Sequence, residues 1–185
     1  MPRNGALTHP GAGCLLALLQ ENNVAPDDID RIEVRTNERV WKTLQHHAPD
    51  SGMQAKFSME FTLAVIALQR RAGLADFTTD ALLRPEIQEM MRRISYTPYE
   101  TAGDGFTNVT TLIDLHLTGG GHVSGRSDHA RGSTKDPMDF EEVADKFRQC
   151  AAFGGLDENR ARKIVRLVSD FETLEDTRPL TAVLS

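Results

Sequence analysis

A cation and a hydroxyl lie two residues apart at the start of an apolar run, as Lys56 and Ser58. A lysine can neutralise a carboxylate, and a serine hydroxyl and the first amides of a helix can donate hydrogen bonds to the same ligand. The spacing therefore predicts a carboxylate-binding site at the start of an amphipathic helix. The alternative is a solvated lysine beside a serine that only caps the helix.

A second group of candidate binding residues follows a run of β-branched residues. It comprises Arg126, His129, Arg131 and Ser133. Gly132 within this segment lets the backbone approach a ligand where a Cβ atom would clash. The segment is thus predicted to line the same cleft as Lys56. The alternative is an ordinary polar loop that follows a hairpin. Arg126 could point to either face of its strand, because side chains alternate along a strand.

His9 follows Thr8 at the entry to a predicted helix, and it is a candidate proton carrier because histidine titrates near neutrality. A structural role is the alternative. The other histidines lack a second ligand at helical spacing or a CxxC pair, so no metal site is predicted. A glycine-rich phosphate loop and a Ser-x-x-Lys nucleophile motif are also missing from the sequence. No cofactor is therefore predicted.

Composition sets the class of protein. The 185 residues are 39% apolar and 26% charged, which is ordinary for a soluble domain with a possible small second subdomain. The net charge of −6 disfavours nucleic acid and anionic membranes as partners. No stretch approaches the roughly 20 apolar residues of a membrane span, and no leader pattern opens the chain. Cys14 and Cys150 have no CxxC partner and are expected to be buried free thiols in the cytoplasm.

Hydrophobic periodicity predicts an α+β fold, with a small antiparallel sheet and helices packed on one face. The predicted elements are a helix over 11–20, a strand over 31–36 with one wet face, a helix from Phe57 to a left-handed cap at Gly73, a helix from Pro85 with Ile94 on its inward side, a hairpin of 109–117 with 122–126, and helices from Asp139 and Asp157. The helix from Asp139 is expected to bury Phe140, Val143, Phe147 and Ala151. The segment 41–51 stays unassigned.

Six motifs in order resemble the MmgE/PrpD family, which includes 2-methylcitrate dehydratase, cis-aconitate decarboxylase and iminodisuccinate epimerase. They are Thr8-His9-Pro10, residues 26–34, Ala55-Lys-Phe-Ser58, residues 128–133, Asp136-Pro-Met138 and Lys146-Phe-Arg148. The resemblance implies a lyase or isomerase that acts on small di- or tricarboxylates without a metal. It also implies a homodimer or a separate helical domain as partner.

The resemblance covers only the C-terminal portion of a family member. It implies that residues 1–23 belong to the helical domain, residues 24–135 form an α+β lid-like domain, and residues 136–185 are C-terminal helices. Catalytic histidines would come from a helical domain that is missing, so the isolated chain is expected to be inactive. Two departures concern the chemistry: no lysine precedes Thr8-His9, and Phe61 replaces a frequent tyrosine, which removes a hydroxyl.

A second hypothesis is a non-catalytic binding or dimerisation module derived from that family. It is motivated by apolar stripes that the helical domain of a full-length relative would cover, on residues 11–20, 139–151 and 157–171. Apolar surface that is left uncovered favours association.

Overall fold

The computed structural model describes residues 7–184, and the chain divides into two compact units between Pro137 and Met138. The elements of the first unit are α1 (His9–Glu21), β1 (Ile29–Thr36), α2 (Glu38–Thr43), α3 (Gly52–Ala55), α4 (Met59–Gln69), α5 (Thr79–Leu82), α6 (Pro85–Arg92), β2 (Ile94–Pro98), β3 (Thr111–Leu117) and β4 (His122–Ser127). Those of the second unit are α7 (Phe140–Phe153), α8 (Glu158–Ser169) and α9 (Arg178–Leu184). The predicted α+β class is confirmed.

The four strands form a mixed sheet in the order β2-β1-β3-β4. Strands β1, β3 and β4 are antiparallel, which confirms the predicted strand and hairpin. Strand β2 pairs with β1 in parallel, and the hydrophobic pattern predicted neither this strand nor its parallel pairing. Placing Ile94 on the inward side of α6 was wrong, because α6 ends at Arg92 and Ile94 begins β2. Ile94 and Tyr96 alternate with exposed residues, so the short segment buries one face as a strand does.

One face of the sheet carries the core and the other is polar. On β1 and β3, the side chains of Ile32, Val34, Ile113 and Leu115 are buried, and α1 packs against β3 and β4. The opposite face of β1 exposes alternating charged residues, as predicted for a strand with one wet face. The same alternation gives β3 and β4 a polar face.

Helix α4 differs from its prediction in two ways. Residues Met59 to Ala67 are all buried, so the helix is enclosed on every side and is not amphipathic. Its left-handed cap is Arg70, with φ of 60°, whereas Gly73 is extended. The Arg70 guanidinium donates to the carbonyl oxygens of Ala67, at 2.9 Å, and Val24. These bonds stabilise a conformation that an arginine otherwise adopts rarely.

The second unit is built from three successive helices. Helix α7 begins as predicted, because Asp139 and Glu142 exchange side-chain to backbone hydrogen bonds of 2.9 Å. Helix α8 packs against both α7 and α9. Within residues 7–184, no helix has the length and apolar character needed to cross a bilayer.

The buried face predicted for α7 is partly wrong. Phe140 and Val143 are 44% and 51% exposed, while Ala144 and Ala151 are buried. The buried stripe therefore follows two small residues seven apart, which allow a close approach of helices. Cys150 is exposed, which contradicts the expected burial, whereas Cys14 is buried as expected.

Gly125 lets α1 lie close to β4. A Cβ atom at this position would lie 2.8 Å from Cys14 Sγ and 3.1 Å from the Leu18 side chain. We expect Gly125→Ala to lower the free energy of unfolding by roughly 1–3 kcal/mol, measured by urea denaturation, because the helix must shift. Gly119→Ala is the control, since nothing lies within 4 Å of its Cβ position. Equal stability of the two variants would contradict this packing.

Candidate functional site

A cavity of about 370 Å³ lies in the first unit, beside the first turn of α1 and the segment that leads into α4. Its polar lining includes His9 and Lys56, and most of the remaining wall is apolar. The residues that line it are Thr8, His9, Ala12, Lys56, Phe57, Thr62, Ile66, Ala72, Leu74 and Phe77. The cavity thus pairs a cation and an imidazole with a surface suited to a carbon skeleton.

Close packing of α1 on α4 brings His9 and Lys56 to the same cavity. A Cβ atom on Gly11 would lie 3.0 Å from Met59 Sδ and 3.4 Å from Thr111 Cγ2. Only a small residue at position 11 therefore allows this approach without a shift. The first turns of both helices meet at this point. His9 begins α1, and Lys56 lies three residues before the start of α4.

Ser58 has the structural role that the sequence left as an alternative. Its residue is fully buried, and its hydroxyl accepts a hydrogen bond of 3.1 Å from the Phe61 amide. The hydroxyl also donates to Glu60 Oε2 at 3.3 Å. Ser58 is thus the N-cap of α4, and it is not part of the cavity lining.

Arg126 lies in β4 and is engaged by neighbouring side chains of the first unit. Its Nε donates to both Asp128 carboxylate oxygens at 2.9 Å, and its guanidinium lies 4.5 Å from the centroid of the Phe106 ring. Asp128 also accepts a bond of 2.6 Å from the Thr110 hydroxyl. Burial alone would raise the pKa of Asp128, but the bonds from Arg126 and Thr110 outweigh it and lower that pKa.

The rest of the second candidate segment forms a tight turn. The Gly132 amide donates to the Asp136 carbonyl at 2.7 Å with a φ of 87°, and Arg131 forms an ion pair with the Asp136 carboxylate. His129 is exposed, and its carbonyl accepts a bond from a neighbouring serine. The Ser133 hydroxyl is buried without a hydrogen-bond partner among residues 7–184.

The predicted binding residues therefore fall into separate places. His9 and Lys56 line one cavity, and none of the four residues of the second segment does. Arg126 pairs with Leu112 across β4 and β3, on the face opposite Gly125, which faces α1. Of the predicted cations, Arg126 and Arg131 pair with carboxylates, whereas Lys56 forms no ion pair within residues 7–184. Lys56 is thus the predicted cation that is available to a ligand.

The hydrophobic pattern did not predict a buried carboxylate in the first turn of α4. The Glu60 side chain is 8% exposed and contacts His47, whose Nδ1 lies 2.8 Å from Glu60 Oε1. Burial raises the pKa of Glu60, although hydrogen bonds from its own backbone, His47 and Ser58 act in the opposite direction. The available signal was a glutamate in an otherwise apolar helix, downstream of a histidine pair. Within residues 7–184, no group of three or more His, Cys, Asp or Glu side chains is arranged to hold a metal.

The MmgE/PrpD C-terminal domain family matches residues 5–172. Cis-aconitate decarboxylase of Mus musculus is 24% identical over 158 residues, which are 85% of this chain and 32% of that protein. Cis-aconitate decarboxylase of Homo sapiens is 24% identical over 168 residues, which are 90% of this chain and 34% of that protein. The chain thus spans about a third of the length of these relatives.

Replacement of Ser58 tests its assignment as a cap. We expect Ser58→Ala to lower the free energy of unfolding by roughly 0.5–2 kcal/mol, because the Phe61 amide loses its buried acceptor. Denaturant titration measures the change. Ser95→Ala, at an exposed position of β2, should stay within about 0.5 kcal/mol of the wild type. A Ser58→Ala protein as stable as the control would contradict the capping role.

Proposed function

Because the chain belongs to the MmgE/PrpD family, we propose that it is the C-terminal lid portion of a family enzyme that acts on small di- or tricarboxylates. The reaction class is a lyase or isomerase, in which a dehydratase, decarboxylase or epimerase step removes a group or proton beside a carboxylate. Both curated relatives carry a name whose substrate, cis-aconitate, is a tricarboxylate. That name supports the proposed substrate class.

The observation that carries the proposal is the cavity shared by His9 and Lys56. Lys56 has no ion pair within residues 7–184, so its ammonium group can bind a ligand carboxylate with a charge-assisted hydrogen bond. The apolar wall accommodates the carbon chain of the acid. The His9 imidazole lines the same cavity and can exchange a proton with the bound ligand.

Turnover requires groups beyond this cavity. Proton removal and protonation of a leaving group need an acid and a base held on the same substrate. The proposal assigns the remaining groups to the part of the relatives' length that this chain does not span. The chain alone therefore binds a carboxylate with little or no conversion.

Free thiols suit the reducing cytoplasm that we propose as the location of the protein. Cys14 and Cys150 are both free, and burial raises the pKa of Cys14 to about 11. A protonated thiol is unreactive toward disulfides, and cytosolic thiols are kept reduced, whereas disulfides form and persist mainly in oxidising compartments.

Citrate binding tests the role of Lys56. We expect Lys56→Ala to weaken citrate binding about tenfold or more, since a hydrogen bond to a charged group contributes roughly 1.5–3 kcal/mol. Isothermal titration calorimetry of the purified chain measures the change. Lys42→Ala is the matched control, because Lys42 is exposed and pairs with Glu38 in α2.

Unchanged citrate binding in Lys56→Ala would contradict the assignment of this cavity as the carboxylate site. Rapid turnover of cis-aconitate or 2-methylcitrate by the purified chain would contradict the separate proposal that the catalytic groups are incomplete. Both measurements use the same protein, so the two parts of the proposal are tested independently.

A second candidate function is a binding or dimerisation module, and apolar residues exposed on the second unit favour it. They are Phe140, Val143, Phe153, Val168 and Phe171, which are between 44% and 59% exposed. Phe140 and Val143 are three residues apart on α7. Val168 near the end of α8 and Phe171 just after it have the same spacing. Apolar pairs of this kind favour association with a second copy.

Light scattering tests this second candidate. We expect the wild-type chain to be a dimer and the double variant Phe140→Ser with Val143→Ser to be a monomer, because both side chains are exposed and their loss removes apolar contact area. Lys146→Ser, at an exposed position of the same helix, should leave the mass unchanged. A wild-type chain that remains a monomer at high concentration would contradict the module.

A further inference from the structure

A histidine and a glutamate join the two ends of the segment that carries Lys56. His47 Nδ1 lies 2.8 Å from Glu60 Oε1, and the two residues are 13 positions apart. Helix α3 and Lys56 both lie between them. Because this contact closes the segment 47–60, it limits how far Lys56 can move from the cavity.

The contact is held from both sides. The Trp41 and His47 rings are stacked with centroids 5.1 Å apart, and the Tyr96 ring centroid lies 5.8 Å from that of His47. On the other side, the Ser58 hydroxyl donates to Glu60 Oε2 at 3.3 Å. The contact is therefore supported on the Glu60 side by the helix cap and on the His47 side by aromatic rings of α2 and β2.

The groups that face Glu60 come from the segment, from the helix cap and from the sheet. They are His47 from the segment, Ser58 from the helix cap and Tyr96 from β2. Burial raises the pKa of Tyr96, and its hydroxyl shares a hydrogen bond of 2.8 Å with the Thr36 hydroxyl, so Tyr96 stays protonated. Tyr96 therefore brings no change of charge to Glu60 near neutral pH.

We propose that His47 and Glu60 are positioning residues whose contact clasps the segment 47–60, and that protonation of Glu60 controls how firmly Lys56 is held at the cavity. The proposal rests on the proposed function of Lys56 in carboxylate binding. Neither residue lines the cavity, so they act on a ligand only through the position of Lys56.

The direction of the pH effect follows from burial. In the closed segment, burial raises the pKa of Glu60 above its ordinary value of 4.5, whereas an opened segment exposes the carboxyl group to water. The closed form therefore binds the proton more tightly, and acid favours closure. Opening becomes easier as the pH rises from about 4.5 through the raised pKa, and it then levels off.

Hydrogen exchange of the amides of residues 48–57 measures this opening. After correction for the intrinsic exchange rate, we expect protection to fall between pH 4.5 and pH 8, by about tenfold for each pKa unit between the open and closed forms. Glu60→Gln should show no such fall, because the amide does not titrate. His47→Ala should lower protection at every pH, since the clasp is lost.

Asp50→Asn is the matched control, because Asp50 is an exposed carboxylate of the same segment, and it should keep the wild-type pH dependence. The clasp would be overturned if the wild type and Glu60→Gln showed the same pH dependence of protection. It would also be overturned if His47→Ala were protected as well as the wild type. Citrate binding at the same pH values separates this inference from the proposed function. Citrate binding that stays constant while the protection changes would overturn the link to Lys56. If no variant binds citrate, the proposed function is contradicted, and the exchange comparison alone still decides whether the clasp exists.

Discussion

Enclosure of α4 is the constraint on which the rest of the first unit depends. Residues Met59 to Ala67 are buried on every side, so the helix cannot turn a polar residue toward solvent. Its neighbours are α1, α6 and β2, and the close contact at Gly11 fixes the distance to α1. Burial of Glu60 and the position of Lys56 just before the helix both follow from this packing.

Local charge pairing separates the cations that can meet a ligand from those that cannot. Arg126 pairs with Asp128 and Arg131 pairs with Asp136, two and five residues away in the sequence. A ligand carboxylate would have to displace these partners. Lys56 has no such neighbour within residues 7–184, so a ligand meets an uncompensated charge there.

Elements encoded by neighbouring residues could be predicted, and those set by distant contacts could not. The capping box at Asp139 and the hairpin around the triple glycine depend on a few adjacent residues, and both are present. Strand β2 is short, and it pairs with β1 through residues that are far apart in the sequence, such as Ile32 and Ile94. The helical pattern that precedes β2 therefore led to the wrong assignment of Ile94 to a helix. The Glu60 contact was missed for the same reason, because burial of a carboxylate depends on neighbours that a local pattern does not identify. The approach of His9 to Lys56 likewise depends on tertiary packing.

The chemistry of the cavity favours binding over turnover. Phe61 is fully buried and packs edge-on against Phe77, with ring centroids 5.5 Å apart. Because its ring carries no hydroxyl, position 61 cannot donate a proton to a substrate. Among the described side chains that line the cavity, His9 and Lys56 are the ionisable groups, and no carboxylate accompanies them. An elimination needs one group to remove a proton and another to deliver one, and a single imidazole does not hold both roles at once. The cavity therefore supports the proposal that this chain holds a carboxylate for groups located elsewhere.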